Sequence, residues 1–452
     1  MTPDQMIALG VAFPAYLRLF ENCFVHQRTV QHLHAYCRGL LSDLPRKSIE
    51  PMALACGTAV RTLQEFLRDH VWDQFRMRDQ LQQRLAQMPP DPLNDLGTIG
   101  LIDETSFAKK GTKTPGVHRQ WCGSRGKIEN CIVTVHLGIV RGCFKTLVDA
   151  ELFLPQAWSD DRERCREAAI PEEMEYRPKW CIALEQLDRA ASNGLSLNWL
   201  TFDEYYGSKP AFLHELDDRP GMHYIGEVPC NFRCLGVRPR GKRPPGGWKG
   251  KRADTLARFS SAWHRQEWQG VSLARLTLAN QEWEVRAAQV YLVYGGDVSK
   301  RTYWLIVARN LATGEVKYFI SNAPTDTPLE KLLRVAFSRW NVEHVFRVAK
   351  SEIGFGHFEG RSYVALMRHL ILCLVVTGFV AEHTERLRGE KSRDHDRASQ
   401  PRLEPTLPGM AGESPGNNPS NVHDRCHRLS PGAQSGRPTF TPATTVGVLV
   451  AL

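Results

Sequence analysis

The sequence predicts an α/β protein, with an all-α region in front of the mixed part and a disordered tail behind it. Three observations carry that expectation. Apolar residues recur at helical spacing through the first 95 positions. Beyond them, short apolar runs alternate with helical stretches up to about residue 383. From 384 onward the chain turns polar and rich in Pro, Gly and Ser, a composition that buries too little apolar surface to fold.

The helical region is read from "MIALGVAFPAYLRLF", "VQHLHAYCRGLLSDL", "TAVRTLQEFLRDHVWDQF" and "RDQLQQRLAQM", and it ends at the breaker "PPDP". "GTIGLIDET", "ENCIVTVHLGIV" and "FKTLVDAELFLP" then read as strands. "KWCIALEQLDRAASNG" reads as a helix closed by glycine. "LSLNWLTFDEYYG" is a further strand, "KPAFLHELDDR" a helix and "GMHYIGEVP" a strand. "VRPRGKRPPGGWKGKR" interrupts this alternation. Three more strand-like runs follow, "WEVRAAQVYLVYG", "TYWLIVARNL" and "VKYFISNAP", then a helix through "SRWNVEHVFRVAKSEIG". No internal repeat is visible.

Bulk properties narrow the function. With 452 residues, 42% hydrophobic and 24% charged, the chain is an ordinary globular protein of two to four domains. A net charge of +9 favours a polyanionic partner. No apolar leader with a basic flank opens the sequence, so a cytoplasmic protein is expected. The longest apolar run, "LILCLVVTGFVA" (Leu370 to Ala381), is short for a bilayer and reads as a core helix, so no membrane partner is expected. The 12 cysteines lie scattered, and Cys230 and Cys234 have no second pair in zinc-site spacing; reduced thiols are expected.

Three acids stand out. Asp103 and Asp203 each follow an apolar run, at what reads as a strand's end. Glu343 lies on the closing helix, where Arg339, Glu343 and Lys350 share one narrow charged stripe among apolar residues. Singly, each has a plainer reading: Asp103 as a turn cap, Asp203 as a surface charge beside Glu204, Glu343 as the partner of Arg339 four residues away. Jointly, carboxylates from two strand ends and a neighbouring helix can converge, and such oxygen ligands suit Mg²⁺ or Mn²⁺.

Two basic segments fit a nucleic-acid partner. Ala108 to Lys127 holds six Lys or Arg and no acid, Lys109, Lys110 and Arg119 among them. Val237 to Arg252 holds seven and no acid; there Arg240, Lys242, Arg243 and Lys249 surround Trp248, which could stack on an unpaired base. A solvated basic loop is the plainer reading of each.

"LIDETSFAKKGTKTPGVHRQWCGSRGKIENCIV", "LTFDEYYGSKPAFLHEL" and "RWNVEHVFRVAKSEIGFGHFEGRSY" resemble, in order, the three catalytic blocks of bacterial insertion-sequence transposases of the DDE superfamily. In the cut-and-paste branch the third block carries Tyr, Arg, Glu and Lys. Arg339, Glu343 and Lys350 match the last three, whereas Ala336 stands at the Tyr position.

That resemblance implies an RNase H-like catalytic core with a β-stranded insertion, and metal-dependent DNA cleavage and strand transfer. Asp103, Asp203 and Glu343 would bind two Mg²⁺ ions, replaceable by Mn²⁺. Arg339 and Lys350 would contact DNA phosphate, and a homodimer would bridge two element ends of double-stranded DNA. The implied domains are 1–95, helical and a candidate for binding the ends; 96–218, the first part of the core; 219–300, a basic β-rich insertion; 301–383, the rest of the core with the Glu helix; and 384–452, the disordered tail. Two alternatives stay open: another RNase H-like nuclease, or a catalytically inactive DNA-binding remnant.

Overall fold

The computed structural model describes residues 3–91, 94–272 and 282–399. Five helices come first: α1 (Pro3–Arg18), α2 (Gln27–Leu41), α3 (Ile49–Ala55), α4 (Val60–Arg68) and α5 (Gln74–Ala86). Strands β1 (Ile99–Ala108), β2 (His118–Cys122), β3 (Lys127–Arg141) and β4 (Phe144–Leu152) form an antiparallel run. Two short helices, α6 (Gln156–Ser159) and α7 (Arg162–Glu167), lead to α8 (Lys179–Ser192) and then β5 (Trp199–Phe202). Next come α9 (Glu204–Gly207), α10 (Pro210–Asp217) and β6 (His223–Val228).

Next in the chain are β7 (Arg233–Leu235), β8 (Lys251–Arg252), α11 (Ala253–Phe259), α12 (Ser261–His264), β9 (Gln269–Ser272), β10 (Glu282–Tyr294), β11 (Asp297–Val298) and β12 (Tyr303–Asn310). Strand β13 (Val316–Ser321) returns the chain to α13 (Leu329–Ser338), α14 (Trp340–Val348) and α15 (Tyr363–Ser399).

One mixed sheet organises the whole. Its core part runs β4–β3–β1–β5–β6. The meander β1, β3, β4 is antiparallel, whereas β5 lies parallel to β1 and β6 parallel to β5. Strand β13 then pairs antiparallel with β6 and carries the sheet onward through β12 and β10 to β7 and β8. The all-buried "WLTF" of β5 is what a central parallel strand needs, covered on both faces.

Helix α15 explains how the front of the chain joins the back. From Leu370 to Ala381 it is apolar on nearly every face, so this part must be enclosed on every side. It packs on β4 and on α1, α2, α4 and α5, and one continuous apolar core runs from Leu9 to Ala381. The segment Tyr363–Thr384 is long and apolar enough to cross a membrane, longer than "LILCLVVTGFVA" suggested, yet nearly all of it is buried inside the protein, as a core helix is.

Two expectations need correction. Asp103 does not end its strand: β1 continues to Ala108, because β3 pairs with it along its full length while β5 pairs only as far as Ile102. Ala108 to Lys127 is not all loop, since β2 forms a hairpin with the start of β3. Helix α15 runs past 384 to Ser399, through residues such as Glu, Arg and Lys with good helix propensity. Residues 400–452 of the expected tail lie outside the described residues.

Candidate active site

Strand register brings the two aspartates together. In the β1–β5 pair, Ile99 lies beside Trp199 and Ile102 beside Phe202. Asp103 and Asp203 are the next positions on each strand, so they stand side by side just past the last paired residues. Both are half-buried. Asp203 starts α9, where its Oδ1 accepts from the amides of Tyr205 (3.1 Å) and Tyr206 (3.4 Å). Asp103 Oδ1 accepts from the Glu104 amide at 2.7 Å. One oxygen of each carboxylate is thus fixed by backbone. Asp203 Oδ2 has no hydrogen-bond partner among the described residues.

Glycines set the depth of the site. A Cβ on Gly207, in the "DEYYG" turn, would come within 2.0 Å of the Glu227 carbonyl oxygen on β6. One on Gly226 would come within 1.9 Å of the Phe202 ring. Only glycine lets α9 lie this close to β6, and so hold Asp203 against the sheet.

The closing helix supplies the third acid and the cations. Arg339, between α13 and α14, places Nη1 3.4 Å from Asp103 Oδ2 and Nη2 3.2 Å from Glu343 Oε1. Glu343 therefore shares the aspartates' side of the sheet, one guanidinium away. Its side chain is 59% exposed against 13% for Arg339 and Asp103, so it can turn without breaking a core contact.

Lys350 does not continue the straight stripe. Residues Ala349–Ile353 form a π turn. This places Lys350 over the rings of Phe346 and of Phe107 on β1, at 5.6 and 6.0 Å from their centroids. Such single π turns recur at functional sites.

The electrostatics are those of crowded, partly desolvated acids. Burial pushes the Asp103 carboxyl up to about 7; Asp203 adds to this and Arg339 opposes it. Burial also raises Asp203, again against Arg339. Burial lowers Lys350, with Asp103 pulling the other way.

Among the described residues no three acid, His or Cys side chains stand close enough together to hold a metal ion. Arg339 bridges Asp103 and Glu343, and its cation partly neutralises the acids around it. The donor set still fits a hard divalent cation, with two adjacent carboxylates strained by mutual repulsion and a third within reach.

The other expected residues scatter. Lys109 faces inward; its ammonium donates to the carbonyls of Gly356 (3.2 Å) and Phe358, tying the end of β1 to the loop before α15. Lys109, expected to contact DNA, thus has its ammonium engaged by backbone carbonyls. Lys110 and Arg119 are exposed. Arg240, Lys242 and Lys249 are exposed on the 236–250 loop, and Arg243 pairs there with Asp297 at 3.3 Å. Trp248 and Lys249 wall a cleft of about 1150 Å³ between α10 and β10–β11, a different place from the acids. Ala336, at the expected Tyr position, is buried, and Phe337 next to it packs against Trp283 and Phe319 in the core.

The sequence reading missed two supports. Glu104 is paired with Lys179 of α8 at 2.7 Å. Lys47, before α3, donates to the carbonyls of Leu40 (2.8 Å) and Glu352, clamping the π turn that carries Lys350. The repeated Asp-Glu pair at 103–104 and 203–204 hinted at the first; nothing local hinted at the second.

A solved NurA nuclease from Sulfolobus solfataricus is 11% identical, with a TM-score of 0.23, over 62% of this chain and 93% of its own; likeness at that level carries no argument. The probable transposase for insertion sequence element IS701 of Microchaete diplosiphon is 25% identical over 368 residues, 79% of this chain and 85% of its own. The family described as DDE superfamily endonuclease matches residues 19–291, which include Asp103 and Asp203 but stop before Glu343. Because that match covers more than half of the sequence, the chain belongs to the DDE superfamily of endonucleases, as a relative of insertion-sequence transposases.

Proposed function

We propose that this protein is a transposase that binds the ends of an insertion sequence, cleaves them and joins them to target DNA. The observation that carries the reading is the shared guanidinium: Arg339 touches both Asp103 and Glu343 while Asp203 stands beside Asp103. The core strand order β4–β3–β1–β5–β6, with only β5 and β6 parallel to β1, supports an RNase H-like core, and the excursion β7–β12 fits the β-stranded insertion. The helices α1–α5 are the candidates for recognising the ends, and a homodimer would hold two of them.

In this reading Asp103, Asp203 and Glu343 would hold a pair of Mg²⁺ ions, and such ions would make a hydroxyl nucleophilic at neutral pH and stabilise the leaving oxygen. Asp103 and Asp203 give the oxygens not fixed by backbone. Glu343 turns off Arg339 to join them. The freed Arg339 guanidinium and the Lys350 ammonium then face the phosphate at the cut, where two donors can fix its orientation. The half-buried setting keeps bulk water from screening these charges.

The Asp203→Asn variant tests the assignment. It should lose metal-dependent cleavage of DNA carrying the element's ends while binding that DNA nearly as before. Nicking at the wild-type rate by this variant would remove Asp203 from the metal site and the reading with it.

A further inference from the structure

We propose that the β2–β3 hairpin is a wedge that grips duplex DNA away from the cut, inserting Trp121 and Ile128 at a base step. The inference rests on the reading of the chain as a DNA-cleaving enzyme, and adds the element that holds and deforms the duplex. Trp121 and Ile128 are directly opposed across the hairpin, in register. They are 60% and 58% exposed. A cross-strand aromatic–aliphatic pair is normally a buried unit of sheet stability; here it faces solvent near the hairpin's tip. The opposite face is anchored, since Cys122 and Cys131 are buried in a small cluster with Val133 and Phe153. The apolar pair is therefore held out on a firm support.

The charge around it identifies the occupant. Arg119 shares the outer face, two residues from Trp121, and Arg125 stands exposed in the turn. Lys110 and Lys113 lie exposed on the neighbouring loop. From Ala108 to Ile128 there is no acid, and Glu129 beyond them is paired with Lys127 at 3.2 Å. An apolar wedge ringed by cations matches a base step between two phosphate strands. A second copy of this chain would set those cations against their own like.

The geometry also sets a reach. Asp103 lies opposite His136 on β3, and Ile128 is eight residues along that strand. At about 3.3 Å per residue the wedge sits at most ~27 Å from the acids. That is about eight base pairs of duplex at ~3.4 Å each.

The test uses the full chain and duplexes bearing the element's end, with 2-aminopurine placed at successive steps from the cleaved bond. The wild type should bind with a fluorescence rise at one step within about eight base pairs of that bond. Trp121→Ala with Ile128→Ser, both at exposed positions, should lose the rise and weaken binding about ten- to hundredfold. Asp203→Asn should keep the rise while losing cleavage, so failure of the wedge and failure of the active-site reading are told apart. A wild-type chain that binds but brightens no step overturns the proposal, as does a double variant that binds and brightens unchanged. A DNA-free wild-type dimer that the double variant converts to monomer also overturns it, because the patch would then be a subunit interface.

Discussion

Gly207→Ala is the sharpest test of how the site is held. The added methyl would lie 2.0 Å from the Glu227 carbonyl oxygen, 3.0 Å from its carbon and 3.1 Å from a Val228 methyl. The first two are backbone atoms of a sheet strand and cannot rotate away. To regain ordinary contact near 3.5 Å, α9 must retreat by roughly 1.5 Å. Overpacking of this kind costs about 1–3 kcal/mol. For a chain this size that lowers the melting temperature by a few degrees, at roughly 2–4 °C per kcal/mol.

Activity should suffer more than stability. Asp203 caps α9 through the amides of Tyr205 and Tyr206, so it moves with the helix. Displacement by about 1 Å can cost on the order of a hundredfold in rate. Thermal melting and a metal-dependent nicking assay read the two effects separately. Gly10→Ala is the control: its methyl meets nothing within 4 Å inside α1, so it should leave stability unchanged or raise it by up to about 1 kcal/mol. A Gly207→Ala protein that melts and nicks like the wild type refutes the close-approach argument.

Other outcomes follow from the same structure. Asp149 on β4 is fully buried and held by Arg189 of α8 at 2.9 Å, with Gln82 of α5 at 3.2 Å. Asp149→Ala removes that bond and leaves Arg189 to Glu151 alone, at 2.9 Å, so it should cost about 1.5–3 kcal/mol, read as a drop in the urea midpoint; a drop under ~1 kcal/mol would contradict this. His369 is buried, bonded to the Tyr36 hydroxyl at 2.8 Å, and burial lowers it to about 4. Its folded value lies below the unfolded value of about 6.5, so its contribution is full above that pH and is lost as pH falls from about 6.5 to about 4. Asp103 changes stability in the opposite sense over part of that range, so the measurement is a difference: His369→Gln should lose less stability than the wild type between pH 7 and 5. Equal losses would show that His369 takes up a proton as readily folded as unfolded. Lys350→Ala should slow nicking and flatten the salt dependence of DNA binding by about one unit of slope, a single phosphate contact; an unchanged slope would take Lys350 off the DNA.

Much of this was legible in the chain itself. Periodicity located most of the strands and helices, because side-chain spacing must match the buried face of each element. The two aspartates were visible because each follows an apolar run, and the closing helix because charged residues sit on it where apolar ones are expected. Tertiary structure decided the rest. The side-by-side placement of Asp103 and Asp203 comes from a parallel register between strands about a hundred residues apart, which no local pattern encodes. The position of Arg339 between Asp103 and Glu343, the π turn that redirects Lys350 and the inward turn of Lys109 all depend on neighbours supplied by distant segments. Sequence fixes what a segment can bury; which charge ends beside which is set only when the buried faces meet.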